Sequence, residues 1–169
     1  MTLPIRLLVL DIDGVLNSSA WWKDREEFDD WVHPEIDPRA VALLNVLAPP
    51  DRTRIVVSST WRLMGRSSVA GILERVGVLA RVVGVTPQHS GAYKRGEEIA
   101  EWLGSRSVSE EGLPYVILDD DFDAGLGHEG KFVKTDVRVG LTSEDVAKAF
   151  ALYNLQEAVP QAVQPMKAP

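Results

Sequence analysis

The segment IRLLVLDIDGVLNSS (residues 5–19) joins an apolar run to two aspartates one residue apart. Leu7, Leu8, Val9 and Leu10 suit a strand buried on both faces, the pattern of a parallel sheet covered by helices. Alternate residues of a strand point to the same side. Asp11 and Asp13 are therefore aimed at one place, beside the turn-former Gly14. Such a run demands a covered sheet and puts paired negative charge at its edge.

Further along, apolar runs alternate with helical patterns. Strands are predicted at Ile5–Leu10, Arg54–Ser58, Arg81–Val85, Tyr115–Leu118 and Lys131–Thr135. Helices are predicted at Pro38–Leu47, stopping before Pro49–Pro50, at Ser67–Val76 before Gly77, and at Arg95–Leu103 before Gly104. A last helix runs from Thr142 to about Leu155, with Asp145 three residues after Thr142 in the manner of a capping box. Strands alternating with helices predict an α/β fold, a doubly wound, Rossmann-like, mainly parallel sheet. A chain of 169 residues suits one domain, here 1–157, with a proline-containing tail at 158–169 expected to be disordered.

Composition narrows the function classes. No apolar stretch reaches the roughly 18 residues that cross a bilayer, so no membrane partner is expected. No signal peptide is expected either. Cysteine is absent, which excludes disulfides and thiolate metal sites and is compatible with a cytoplasmic location. The net charge of −7 argues against a wholly non-specific nucleic-acid binder, which should be basic.

Ligands of open α/β sheets bind beyond the carboxyl ends of the strands. Three predicted strand ends carry polar residues: Asp11 and Asp13, Ser58 and Ser59, and Asp119 and Asp120. Two carboxylates held close repel unless something positive lies between them. Oxygen ligands on rigid strand ends suit Mg²⁺. A hydroxyl at the end of IVVS can donate to a phosphate oxygen, and Lys94 or Arg95 at a helix start can neutralise another. This is equipment for phosphoryl transfer, where positioning and charge neutralisation do most of the work. Alone, each piece has a plainer reading. DxD before glycine suits a turn, SST a helix cap, KR a solvated surface, and DDDFD a solvated loop.

Together, DIDGVL, the serine of IVVSSTWR, the basic residue of KRGEEI and ILDDD resemble, in order, the four motifs of the haloacid dehalogenase (HAD) superfamily. The resemblance runs from Ile5 to about Asn154. SSTWR, RGEEIAEWL, ILDDD and the later GLT are similar to the small HAD domains of "Swiss Army Knife" RNA-repair proteins. It implies an HAD core and a phosphatase. Asp11 would be the nucleophile and a Mg²⁺ ligand. Asp13 would be the general acid and base, with its carbonyl on the metal. Ser58, with Ser59 as the alternative, would bind phosphate, and so would Arg95 or Lys94. Asp119 would be the cross-site metal ligand, assisted by Asp120 or Asp123. Arg62 would reach the substrate phosphate.

The gaps of 45 residues from Asp13 to Ser58 and 36 from Ser58 to Lys94 are largely spent on core elements. Neither holds a full cap, so a minimal or absent cap and an open site are expected. The segment Trp21–Trp31 lies where the superfamily carries a mobile flap, and Trp21 or Trp22 is expected to face the substrate. His33, His89 and His128 are read as non-catalytic. The expected partner is a phosphorylated substrate, a nucleotide or nucleic-acid terminal phosphate. A small metabolite or phosphoprotein phosphatase is the first alternative, and a non-catalytic HAD-fold binding module the second.

Overall fold

The computed structural model describes residues 5–24, 35–105 and 112–158. Five strands form one sheet: β1 (Arg6–Leu10), β2 (Thr53–Val57), β3 (Arg81–Val85), β4 (Tyr115–Asp119) and β5 (Phe132–Lys134). Their order is β3-β2-β1-β4-β5, and every pair is parallel. The helices are α1 (Ser19–Asp24), α2 (Pro38–Leu47), α3 (Arg66–Arg75), α4 (Arg95–Gly104) and α5 (Ser143–Ala158). The doubly wound α/β reading therefore holds, and the sheet is wholly parallel.

Parallel strands need both faces covered, and the alternation of β1 divides its side chains between two cores. Leu8 and Leu10 join Ile55, Val57, Val116 and Leu118 against α2, α3 and α5. Leu7 and Val9 join Val56 and Ile117 against Ile99 of α4 and Ala124. Fully burying a side chain of this kind stabilises a fold by about 1.5–3 kcal/mol, so β1 carries much of the core. The Tyr153 hydroxyl of α5 donates to the Leu7 carbonyl at 2.6 Å, and burial raises its pKa well above that of free tyrosine.

Helix starts follow local chemistry. Asp37 caps α2, its carboxylate accepting from Arg39 N–H at 2.8 Å with Pro38 in the first turn. At α5 the expected capping box forms. Thr142 Oγ1 accepts from Asp145 N–H at 3.2 Å, and Asp145 accepts from Thr142 N–H at 3.1 Å.

Some boundaries move. α5 continues to Ala158, three residues past the expected end, so residue 158 belongs to the helix and not to a tail; residues 159–169 lie outside the described residues. The TWRLM stretch forms a 3-10 helix, Thr60–Met64, that the apolar pattern did not signal. Between β1 and β2 the described residues hold only α1 and α2. Phe28 and Trp31 of the expected flap segment, and His33, which was read as non-catalytic, lie outside the described residues. Among the described residues, no helix is long and apolar enough to cross a membrane.

Candidate active site

Because β1 lies between β2 and β4, the carboxyl ends of three strands meet at one edge. Leu10 pairs with Val57 on one side and Leu118 on the other. The next residues along are Asp11, Ser58 and Asp119. Backbone bonds continue through them: Asp11 N–H donates to the Leu118 carbonyl at 3.0 Å, and Ser58 N–H to the Leu10 carbonyl at 2.9 Å.

Asp11 is buried, 3% exposed. One carboxylate oxygen accepts from Ile12 N–H at 2.7 Å. The other accepts from Arg95 Nη1 at 2.8 Å. The Ser59 side chain lies near the same carboxylate and favours its ionised form, while its hydroxyl oxygen accepts from Trp61 N–H at 3.4 Å. Asp119 is fully buried at the end of β4. Its Oδ2 also accepts from Arg95 Nη1 at 2.8 Å, and its Oδ1 from Asp121 N–H at 2.9 Å. One guanidinium nitrogen thus bridges two buried carboxylates. Asp120 adds a third, and ligand oxygens of Asp11, Asp119 and Asp120 all lie within 4.8 Å of one another.

The charges are under tension. Burial raises the Asp11 carboxyl above the ordinary range, with Arg95 and the Ile12 N–H opposing. Burial, then the Asp11 charge, pushes Asp119 up to about 7 despite Arg95. Asp120 is also raised, chiefly by burial. Burial disfavours the Arg95 cation, but Asp11 and Asp119 more than offset this and raise its pKa. One arginine does not neutralise three clustered carboxylates. The donor set is all oxygen, hard and negative, which fits a cation such as Mg²⁺.

Glycines let these parts approach. Gly14 has φ +74°, and a Cβ there would lie 2.5 Å from Asp120 Cγ, so the turn after Asp13 is what seats Asp120. Gly96, the second residue of α4, packs against the backbone carbonyls of Leu126 and Asp123. The α4 N-terminus is tied down further by the Asp123 carboxylate accepting from Arg95 N–H at 3.2 Å, and by His128 Nε2 at 2.9 Å from the Gly96 carbonyl. Tyr115 holds the other ring nitrogen of His128 at 2.9 Å. A Cβ at residue 96 would meet backbone that cannot swing aside. Gly96→Ala is therefore expected to cost about 1–3 kcal/mol, the range for overpacking, and to displace Arg95. Urea unfolding would register the first effect, and reduced affinity for inorganic phosphate the second.

Asp13 is exposed, but its carboxylate is held at both oxygens. Asn17 Nδ2 donates to Oδ1 at 2.8 Å and Trp61 Nε1 to Oδ2 at 3.2 Å. Asn17 in turn accepts from Gly14 N–H at 2.9 Å. Neither Asn17 nor Trp61 stands out from sequence alone. Their only signal was proximity to the DxD and SST motifs.

Several expected residues sit elsewhere than their motif positions suggested. Of the two serines, Ser59 lies near Asp11 and favours its ionised form, while the Ser58 hydroxyl is buried with no hydrogen-bond partner. Of the two cations, Arg95 enters the carboxylate cluster, while Lys94 is exposed at the α4 cap, its N–H donating to Glu97 at 2.9 Å. Of the two further acids, Asp120 joins the cluster and Asp123 caps α4. Arg62 does not face the opening. It is 8% exposed, its Nη2 donates to Glu98 at 2.7 Å and its Nη1 to the Ser58 carbonyl. Trp21 is fully buried and cannot serve as a substrate flap. The backbone N–H groups of Ser19 and Ala20 pair with the Val137 and Arg138 carbonyls at 3.0 Å, which draws α1 and its indole inward. Trp22 is 41% exposed. His89 pairs with Glu101 at 2.7 Å, away from the cluster.

Comparison with curated proteins and with solved structures returned no match. The sequence model of one family, described as the HAD domain in Swiss Army Knife RNA repair proteins, matches residues 7–146. That span takes in Asp11, Ser59, Arg95 and Asp119, and the chain belongs to this HAD family, a membership that points to a phosphatase-type hydrolase.

Proposed function

We propose that the protein is a Mg²⁺-dependent phosphomonoesterase that works through an aspartyl-phosphate on Asp11, acting on a nucleotide or nucleic-acid terminal phosphate. The observation that carries this reading is the Arg95 bridge between buried Asp11 and Asp119, with Asp120 alongside. A cluster of this kind can receive a cation and a phosphate together, and a solvated acidic loop has no need of it.

In the first half-reaction an Asp11 oxygen attacks phosphorus. The bond from phosphorus to the leaving oxygen breaks, and that oxygen takes a proton from Asp13. In the second, Asp13 takes a proton from water as the water oxygen attacks phosphorus. The bond to Asp11 breaks, inorganic phosphate leaves, and both carboxyl groups return to their starting forms. The Ser59 hydroxyl and the Arg95 guanidinium bind phosphate oxygens. Arg62 supports the Ser58 carbonyl from beneath. Mg²⁺, held by Asp11, Asp119 and Asp120 with the Asp13 carbonyl, would neutralise phosphate charge. The lack of cysteine is compatible with a cytoplasmic location.

A phosphatase panel with Mg²⁺ tests the reading. It should cover nucleoside 2′-, 3′- and 5′-monophosphates, oligonucleotides with a 3′- or 5′-phosphate, phosphosugars and a phosphopeptide. Turnover of a nucleotide or oligonucleotide phosphate that stops in chelator is expected. Preference for a phosphosugar or phosphopeptide would replace the substrate class. Absence of turnover across the panel would favour a binding module. Asp119→Asn should weaken Mg²⁺ binding, measured calorimetrically, while leaving the melting temperature in chelator unchanged or higher, because it removes a buried charge that repels Asp11. Unchanged Mg²⁺ affinity would move the metal elsewhere.

A further inference from the structure

The position of Asp13 dictates where the leaving group must go. A general acid has to lie within hydrogen-bond reach of the oxygen it protonates, so whatever that oxygen is attached to emerges beside Asp13. The wall on that side is Trp61, whose indole N–H is bonded to the Asp13 carboxylate. Trp61 also lines a cleft of about 300 Å³ with Glu35, Thr60, Met64 and Ile72. A second, larger cleft, at Ala92, Tyr93, Glu97, Ala100 and Glu101, runs along α4 and includes no residue bonded to Asp13. A third lies against the start of β3, at the other end of the sheet.

We propose that the Trp61 cleft is the leaving-group subsite, and that it takes the base of a nucleoside monophosphate. This rests on the phosphomonoesterase reading of Asp11 and Asp13. Four observations select that occupant. The indole is fixed, by its bond to Asp13 and by packing on the core together with Ile72, which makes it a ready stacking platform. Met64 is 48% exposed on the same 3-10 helix and offers a second apolar contact. Glu35 can accept from a ring N–H or an exocyclic amine, and its charge repels a second phosphate. The net charge of −7 opposes a long polyanion, so a mononucleotide fits better than a nucleic-acid strand. The aromatic recognition expected of Trp21 and Trp22 thus passes to Trp61, forty residues later.

The test compares ligands that share a phosphoester and differ only in the base. Full-length Asp11→Asn protein with Mg²⁺ is titrated with ribose 5-phosphate and with each of the four common nucleoside 5′-monophosphates. At least one nucleotide is expected to bind about 5- to 150-fold more tightly than ribose 5-phosphate, the range for stacking one base. Met64→Asp, a change at an exposed position, should bring that ratio close to one, and Trp61→Leu should do the same. Equal affinity for ribose 5-phosphate and all four nucleotides would overturn the proposal. So would a base preference that survives both substitutions, or tight binding of an oligonucleotide with none of any mononucleotide. If base-dependent binding is present and Met64→Asp removes it, yet the wild-type protein hydrolyses no monoester, the cleft stands and the phosphatase reading falls. If ribose 5-phosphate and the nucleotides are hydrolysed and bound alike, the reverse holds.

Discussion

Asp11→Asn is expected to leave no measurable turnover of any phosphomonoester, in a protein that is still folded. An amide oxygen is a poor nucleophile, and the neighbouring Asp119 cannot take its place, being fully buried and tied to Arg95 and the Asp121 N–H. The amide is nearly isosteric with the carboxylate, and its oxygen can still accept from Ile12 N–H or Arg95. Burial raises the Asp11 carboxyl, so its ionised form opposes folding at neutral pH. Removing that charge should leave the melting temperature in chelator unchanged or raise it, the familiar opposition between stability and activity. Asp13→Asn should act differently. It keeps the nucleophile and removes the proton carrier, so both half-reactions should slow by roughly 10²–10⁴-fold. A beryllium fluoride complex should form on wild-type and Asp13→Asn protein and fail on Asp11→Asn. Wild-type turnover in Asp11→Asn would end the covalent mechanism.

What sequence could and could not show follows from the range of each interaction. β1, β2 and β4 were legible because a strand buried on both faces must be an apolar run, and the polar residue that ends it marks the sheet edge. The capping box at Thr142 was legible because both partners lie within four residues. Trp21 was not, because its burial depends on pairing with residues 137–138, more than a hundred positions away. Adjacent alternatives were equally opaque. Lys94 and Arg95 are chemically alike in a sequence, and which one enters the site depends on where α4 begins, fixed by Asp123 and His128 across the fold. Arg62 shows the same limit. Its charge was visible, and its partner Glu98, 36 residues on, was not.

That pair also supports the largest expected change in stability. Glu98 and Arg62 have side chains only 6% and 7% exposed. Glu98 Oε2 accepts from Arg62 at 2.7 Å, and Oε1 accepts from His89 N–H at 2.8 Å. Burial already lowers the pKa of the Arg62 guanidinium, and the Glu98 charge is the leading influence in the other direction. Glu98→Leu would leave that cation buried without its bonded partner, with Arg95 as a like-charged neighbour and only the weaker influence of Asp11 and Asp119 to offset it, and would strand the His89 N–H. Removing one partner of a buried pair typically costs about 3–5 kcal/mol. For a chain of this size each kcal/mol lowers the melting temperature by roughly 2–4 °C, so a fall on the order of 6–20 °C is expected. Glu98→Gln keeps both acceptor positions in reach and should cost less. Replacing the pair together, Arg62→Met with Glu98→Leu, removes the uncompensated charge and should recover most of the lost stability. Activity should not recover with it. The Arg62 charge acts on Asp11 and Asp119, and its Nη1 holds the Ser58 carbonyl beside them, so the double variant should melt near wild type and still turn over slowly. If the double variant melted as low as Glu98→Leu alone, the cost would lie in packing around α4, and the buried charge would not be its source.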